Sequence, residues 1–173
     1  ADIKEFKIAI GIDADTLNPQ EQTTTLMQNM CDLLYDNLFF QNPDGELEPR
    51  LATGYEVSED GKTYTLKLRE GAKFSDGTPH TVDDWIFWRD YVTADTDVTP
   101  VPFSYYQADG EVLQIVKIDD YTFDIVFKKP MPLFVKSCFA HCLGFWGNHL
   151  CPAEYLKPYS IHFNPKADEE AKA

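Results

Sequence analysis

Residues 51–84 read LATGYEVSEDGKTYTLKLREGAKFSDGTPHTVDD, a stretch that holds two turns, an alternating strand and a capped helix start. Asp60-Gly61 is a turn dipeptide, since glycine tolerates positive φ and an aspartate side chain can accept a hydrogen bond from the backbone just beyond it. The run Thr63 to Arg69 places Tyr64, Leu66 and Leu68 on one face and Thr63, Thr65, Lys67 and Arg69 on the other. That period of two belongs to a half-buried strand. Gly54 to Val57, on the other side of the turn, is expected to pair with Tyr64 to Leu68 as a hairpin. Glu70-Gly71 interrupts the pattern, and Asp76-Gly77-Thr78-Pro79 makes a second turn. Thr81 with Asp84 has the spacing of a capping box, which opens a helix through Trp85, Ile86, Phe87 and Trp88.

Working outward, Glu5 to Ile12 alternates Phe6, Ile8 and Ile10 against Lys7 and Ala9 and reads as a strand. Thr23 to Phe40 reads as a helix. Leu26, Met30, Leu33, Leu34 and Leu38 fall at helical spacing, Thr23 to Thr25 offer caps, and Asn42-Pro43-Asp44-Gly45 ends the segment in a turn. Glu111 to Ile118 and Thr122 to Phe127 are expected to form a second hairpin around Asp119-Asp120-Tyr121. Lys129-Pro130-Met131-Pro132 closes it, because proline cannot donate to a ladder. Pro132 to Cys142 reads as a short helix. Turn-rich strands with two or three helices and no internal repeat make the fold class α+β.

The net charge of −14 over 173 residues argues against a nucleic-acid partner, since neutralising phosphates needs clustered Lys and Arg and no such cluster occurs. No apolar run approaches the roughly 20 residues that span a bilayer, and Ala1-Asp2-Ile3-Lys4 lacks the charged and apolar regions of a signal peptide. Gly-x-Ser-x-Gly and phosphate-loop motifs are absent, and no catalytic group is assigned. Asp83-Asp84 and Asp119-Asp120 are adjacent carboxylates that point in different directions, so they read as a helix cap and a hairpin turn. Trp85, Phe87 and Trp88 read as core.

The order of these turns and strands resembles the dipeptide, oligopeptide and nickel branch, family 5, of the extracytoplasmic solute-binding proteins that serve ABC importers. The resemblance is carried by Leu17-Asn18-Pro19, Leu34-Tyr35-Asp36-Asn37-Leu38, Asp44-Gly45 through Pro49-Arg50-Leu51-Ala52, Asp60 through Pro79, and Asp119-Asp120-Tyr121-Thr122, in the family's order. Asn18 stands where the family usually has Asp, Trp85 replaces a short apolar residue, and the Cys/His-rich stretch from Cys138 to Cys151 is unusual.

The resemblance implies the N-terminal part of a periplasmic-binding-protein type II fold. Residues 1–50 would start lobe one, 51–152 would form the inserted α+β subdomain with a mixed sheet, and 153–173 a return segment and truncated helix, with the second lobe missing. It further implies a monomeric, non-enzymatic protein, periplasmic or extracellular, whether or not a lipidated N-terminus outside this chain anchors it. Such a protein captures di- or oligopeptides between its lobes and delivers them to the membrane subunits of an ABC permease, with no cofactor. The implied ligand contacts are Thr23, Thr24 and Thr25, at a helix N-terminus along the ligand's path, and Tyr105, Tyr106 and Gln107, where the family carries a ligand-facing Tyr. Trp146, in a Gly-flanked loop, is a further cleft candidate.

Cys138, His141, Cys142, His149 and Cys151 are of the types that hold zinc, but only Cys138 and Cys142 have the spacing of a ligand pair, and no metal site is assigned. In the oxidising compartment that the resemblance implies, a disulfide is the better reading, with Cys142–Cys151 the first choice and Cys31 and Cys138 as buried thiols. Spacing leaves other pairings open. The alternatives to peptide capture are an extracytoplasmic carrier of metal, metal chelate or haem using this Cys/His stretch, and a structural piece with no small ligand.

Overall fold

A computed structural model describes residues 34–102, 104–138 and 151–170. The strand expected at Glu5–Ile12 and most of the helix expected at Thr23–Phe40 lie outside them. The first described elements are a small ribbon of β1 (Phe39–Gln41) and β2 (Leu47–Pro49). Its turn is the expected Asn42–Gly45, with Gly45 at φ +82° and Asn42 Oδ1 accepting the N–H groups of Asp44 and Glu46. The expected helix therefore stops short of Phe39. Leu38 and Phe39 are consecutive core residues, each 2% exposed; once the turn fixes a hairpin, Phe39 is buried from a strand.

The sheet that residues 51–84 foretell is present. β3 (Ala52–Val57) and β4 (Thr63–Leu68) form an antiparallel hairpin, Tyr55 opposite Leu66. Gly61 takes φ +67° in its turn, and Asp60 Oδ1 receives the Ser58 hydroxyl and the Lys62 N–H. β8 (Thr122–Val126) pairs with the other edge of β4, Phe123 opposite Leu66, and β7 (Gln114–Lys117) pairs with β8. The order is β3-β4-β8-β7, antiparallel throughout. Tyr64, Leu66, Leu68, Phe123 and Ile125 are buried on one face, while across the other Thr65 Oγ1 donates to Asp124 at 2.6 Å.

Helix α1 (Val82–Trp88) starts at the expected capping box, with the Thr81 N–H donating to Asp84 Oδ2 at 2.9 Å. Trp85 is 1% exposed, with its ring 5.1 Å from Phe123 and 6.0 Å from Trp88. A π-helical turn, Arg89–Thr93, continues α1, and Arg89 Nε reaches the Leu113 carbonyl at 2.9 Å.

The single strand expected over Glu111–Ile118 is broken at Leu113. That residue is buried and its N–H is diverted to the Tyr106 carbonyl at 2.7 Å. Glu111–Val112 (β6) pairs instead with Gln107–Ala108 (β5) in a separate ribbon. Phe134–Cys138 (α2) is the described part of the expected Pro132–Cys142 helix. Ala153–Leu156 (α3), a short 3₁₀ turn at Lys157–Tyr159, and Ala167–Glu170 (α4) complete the described chain. Among the described residues no helix is long and apolar enough to cross a membrane.

Candidate functional site

Ser104–Tyr106 form a single 3₁₀ turn, and neighbouring residues on so tight a turn face different ways. Tyr106 points inward. It is 1% exposed, its ring stands edge-on to Trp88 at 5.0 Å, and burial pushes its hydroxyl well above the usual tyrosine range. A ring so enclosed has no surface to offer a ligand, which corrects the expectation that Tyr106 faces one. Tyr105 points outward and is 46% exposed. Gln107 is half-buried, with Nε2 donating to the Pro102 carbonyl at 2.7 Å, so its side chain braces the loop. The turn is thus anchored by Tyr106 below and pinned on both sides by Gln107 and Leu113, and it presents Tyr105 on a fixed base. Thr23, Thr24, Thr25 and Trp146 lie outside the described residues.

A cavity of about 460 Å³ lies where residues 34–36, the turn after β4 and the start of α3 meet. Its walls include Tyr35, Phe74, Pro152 and Tyr155, with His80 among them. His80 is 3% exposed. The Trp85 indole N–H donates to His80 Nε2 at 3.2 Å, and the Phe74 ring stands edge-on at 5.4 Å. An indole nitrogen only donates, so His80 Nε2 accepts and the proton of the neutral ring sits on Nδ1. Burial lowers the His80 pKa, against the raising influence of Asp84. Asp84, itself 6% exposed, caps two helices: Oδ2 serves α1 and Oδ1 accepts the Ala153 N–H, at the start of α3, at 2.9 Å. Sequence reading assigned His80 no role. Nothing local marks it, because its burial depends on α1 and on residues near position 152.

The adjacent carboxylates are occupied structurally. Asp83 and Asp120 both bind Lys117 at 2.8 Å, and Asp119 accepts the Tyr121 N–H. Cys138 is a buried thiol whose pKa burial pushes up, which makes it unreactive. Cys151 is half-buried at the cavity; Cys142 lies outside the described residues, and with it the expected Cys142–Cys151 pair. Among the described residues no group of three or more His, Cys, Asp or Glu could hold a metal.

The described sheet and helix recur in known proteins. The chain is 35% identical over 135 residues to the glutathione-binding protein GsiB of Escherichia coli O1:K1, an alignment that covers 76% of this chain and 25% of that protein. It superposes on an oligopeptide-binding protein OppA with TM-score 0.71 and 33% identity, covering 84% of this chain and 22% of that one. It also superposes on the periplasmic binding protein MelB of Agrobacterium fabrum C58, solved in complex with stachyose, with TM-score 0.57 and 31% identity, covering 75% and 20%. The mixed α+β arrangement is thus that of part of a periplasmic binding protein of type II. The chain spans about a quarter of the length of the curated relatives it matches. Residues 46–171 match the family described as bacterial extracellular solute-binding proteins, family 5 Middle, and the chain belongs to that family.

Proposed function

We propose that this chain is part of the extracytoplasmic protein that captures peptides for an ABC importer, periplasmic or extracellular and acting by binding rather than catalysis. The observation that carries this reading is its likeness, at 33–35% identity, to proteins named for binding glutathione and oligopeptides. In this reading residues 1–50 belong to lobe one, 51–152 to the inserted subdomain and 153–173 to the return segment, and ligand binds between lobe one and a second lobe outside this chain. Capture then works by population shift, since a ligand that bonds both lobes stabilises only the closed form.

Tyr105 is the contact this subdomain offers. It supplies an apolar ring face with a polar tip, which suits a peptide backbone gripped without strict side-chain selection. Gln107 Nε2 holds the loop at the Pro102 carbonyl, which leaves its amide oxygen as the proposed contact. Thr23, Thr24 and Thr25 of lobe one and Trp146 of this subdomain remain proposed contacts. The stachyose-bound relative favours a second reading in which the ligand is an oligosaccharide.

Native mass spectrometry of the full-length protein, purified without added ligand, tests both readings. A heterogeneous adduct that leaves on denaturation and fragments as peptides supports the first, and hexose losses support the second. If neither peptides nor oligosaccharides from a screened library bind in calorimetry, the proposal fails. The 173-residue chain alone, lacking the second lobe, is expected to bind peptide weakly or not at all.

A further inference from the structure

Three of the chain's four Asp-Gly pairs sit at the same place in turns of the same form, and one of the three leaves its carboxylate unused. Gly45, Gly61 and Gly77 each donate their N–H to the carbonyl three residues back, on Asn42, Ser58 and Phe74, at 2.9, 2.9 and 3.0 Å. In two of these turns the aspartate locks itself in place. Asp60 Oδ1 accepts the Lys62 N–H at 3.2 Å and the Ser58 hydroxyl at 2.7 Å, and Asp76 Oδ1 accepts the Thr78 N–H at 2.8 Å and the Thr78 hydroxyl at 2.6 Å. Around Asp44 the task of receiving the N–H two residues on has passed to a neighbour, since Asn42 Oδ1 accepts the Glu46 N–H at 2.9 Å. The Asp44 carboxylate, exposed at the tip of the β1–β2 ribbon, accepts no hydrogen bond and makes no ion pair with any described residue. The fourth pair, Asp109-Gly110, is tied differently, with Lys129 Nζ donating to Asp109 Oδ1 at 2.7 Å. The Ser58 hydroxyl, the Thr78 hydroxyl and Lys129 hold the Asp60, Asp76 and Asp109 carboxyls below the usual aspartate range, and an ionised carboxylate is the poorer electrophile.

We propose that Asp44-Gly45 is a site of spontaneous backbone modification, through a succinimide to isoaspartate, and the foremost such site among these four pairs. The Gly45 nitrogen attacks Asp44 Cγ, and glycine, with no Cβ, obstructs the approach least. The N–Cγ bond forms, the carboxyl C–OH bond breaks, and the amide proton and the hydroxyl leave together as water. Water then opens the ring. Addition at Cγ restores aspartate; addition at the Asp44 main-chain carbonyl carbon breaks the original peptide bond and leaves the chain running through Cβ and Cγ, with the α-carboxylate free. No oxidant, reductant or enzyme is needed. Asp44 Cγ can rotate to the Gly45 nitrogen once the bond to the Asn42 carbonyl opens, whereas Asp60 and Asp76 must break their carboxylate bonds as well. The product lengthens the backbone between Gln41 and Leu47, so these partners could no longer pair as they do across the ribbon. The site is independent of what the protein binds.

The test is ageing of the full-length protein at neutral pH and physiological temperature, followed by proteolysis and electron-transfer fragmentation, which tells isoaspartate from aspartate. Isoaspartate should accumulate at Asp44 faster than at Asp60 or Asp76 by about tenfold or more, the factor set by carboxylate hydrogen bonds that must first break, and a form lighter by one water should precede it. In concentrated urea the turns are gone, and the four pairs should react at rates within about twofold of one another. Asp44→Glu, at an exposed position, should abolish the signal there. Thr78→Val, which takes the hydroxyl from Asp76, should speed reaction at Asp76 by about threefold or more. Accumulation at Asp60 or Asp76 as fast as at Asp44 in the folded protein would overturn the proposal. So would the same ranking in urea, which would put the cause in local sequence rather than in the turns. A folded protein that stays free of isoaspartate at Asp44, while the unfolded one forms it, would also sink the idea, by showing the bond from Gly45 to the Asn42 carbonyl to be lock enough.

Discussion

Two regions of this molecule are built on different principles. The sheet β3-β4-β8-β7 with α1 is regular, and its buried face is a continuous layer of Tyr64, Leu66, Phe123, Ile125 and Trp85. The segments 104–112 and 151–170 hold only two-residue strands and single helical turns, and each is fastened to its surroundings by a few specific bonds. The regular region resists change through area buried; the irregular one is positioned through individual atoms. Yet the second carries Tyr105 and part of the cavity, so exposed chemistry sits where the chain is least repetitive, on a base held by Tyr106, Gln107 and Leu113.

The sharpest way to break this contrast is to hollow out the regular half. Trp85→Ala removes a ring that is 1% exposed and touches Phe123, Trp88 and His80. Its cost should be about 3–5 kcal/mol, enough to unfold much of the chain, read as a fall in the urea midpoint. An effect under about 1 kcal/mol would mean that the face is not the core described here.

Asp84 joins the two regions, and its loss should come next. Asp84→Ala strips acceptors from the Thr81 and Ala153 N–H groups, one of them 69 residues away, for about 1–3 kcal/mol. Asp84→Asn keeps one acceptor oxygen and should recover part of that. Hydrogen exchange sharpens the point: in Asp84→Ala, amides of Ala153–Leu156 should lose protection before those of β4 and β8 do. Simultaneous loss would show the two regions to be one cooperative unit.

The same contrast governs what could be read without a structure. The Asp60-Gly61 turn, the Tyr64–Leu66–Leu68 face and the Thr81–Asp84 box were legible because each is encoded within a few residues. Phe39 was not, since the apolar run Leu33-Leu34-Leu38 fits a helix as well and only the ribbon with Leu47–Pro49 decides. The β5–β6 ribbon turns on Asp109-Gly110, at φ +54° and +77°, a turn dipeptide the sequence does carry; the ribbon was hidden because its strands are two residues long and show no period. Near position 105 the sequence does not say which side chain points outward. Tyr105 and Tyr106 are alike in type, and only contact with Trp88 separates them.

A smaller effect comes from pH. Burial holds the His80 pKa below its ordinary value of 6.5. As pH falls through that value, the unfolded chain takes up a proton here and the folded chain does not, so the unfolded state gains. Stability should therefore be full above about pH 7 and decline as pH drops below 6.5, ahead of the range where carboxylates protonate. His80→Gln should flatten the slope of the urea midpoint between about pH 7.5 and 5.5. An unchanged slope would place the titrating group elsewhere.

The smallest stability effect should be the most telling for function. Tyr105→Ala removes a ring that is 46% exposed and should change folding stability by less than about 0.5 kcal/mol. Tyr106→Ala, one residue on, deletes a ring packed on Trp88 and should cost about 3–5 kcal/mol. If peptide affinity of the full-length protein falls in Tyr105→Ala while its urea midpoint holds, the outward tyrosine is a ligand contact on a rigid base. Were Tyr105→Ala to lower stability as Tyr106→Ala does, the turn itself would belong to the core, and the division of labour between neighbouring tyrosines would collapse. A midpoint and an affinity that both hold would leave the turn as scaffold, and the search for the ligand-facing side chain would move to Gln107.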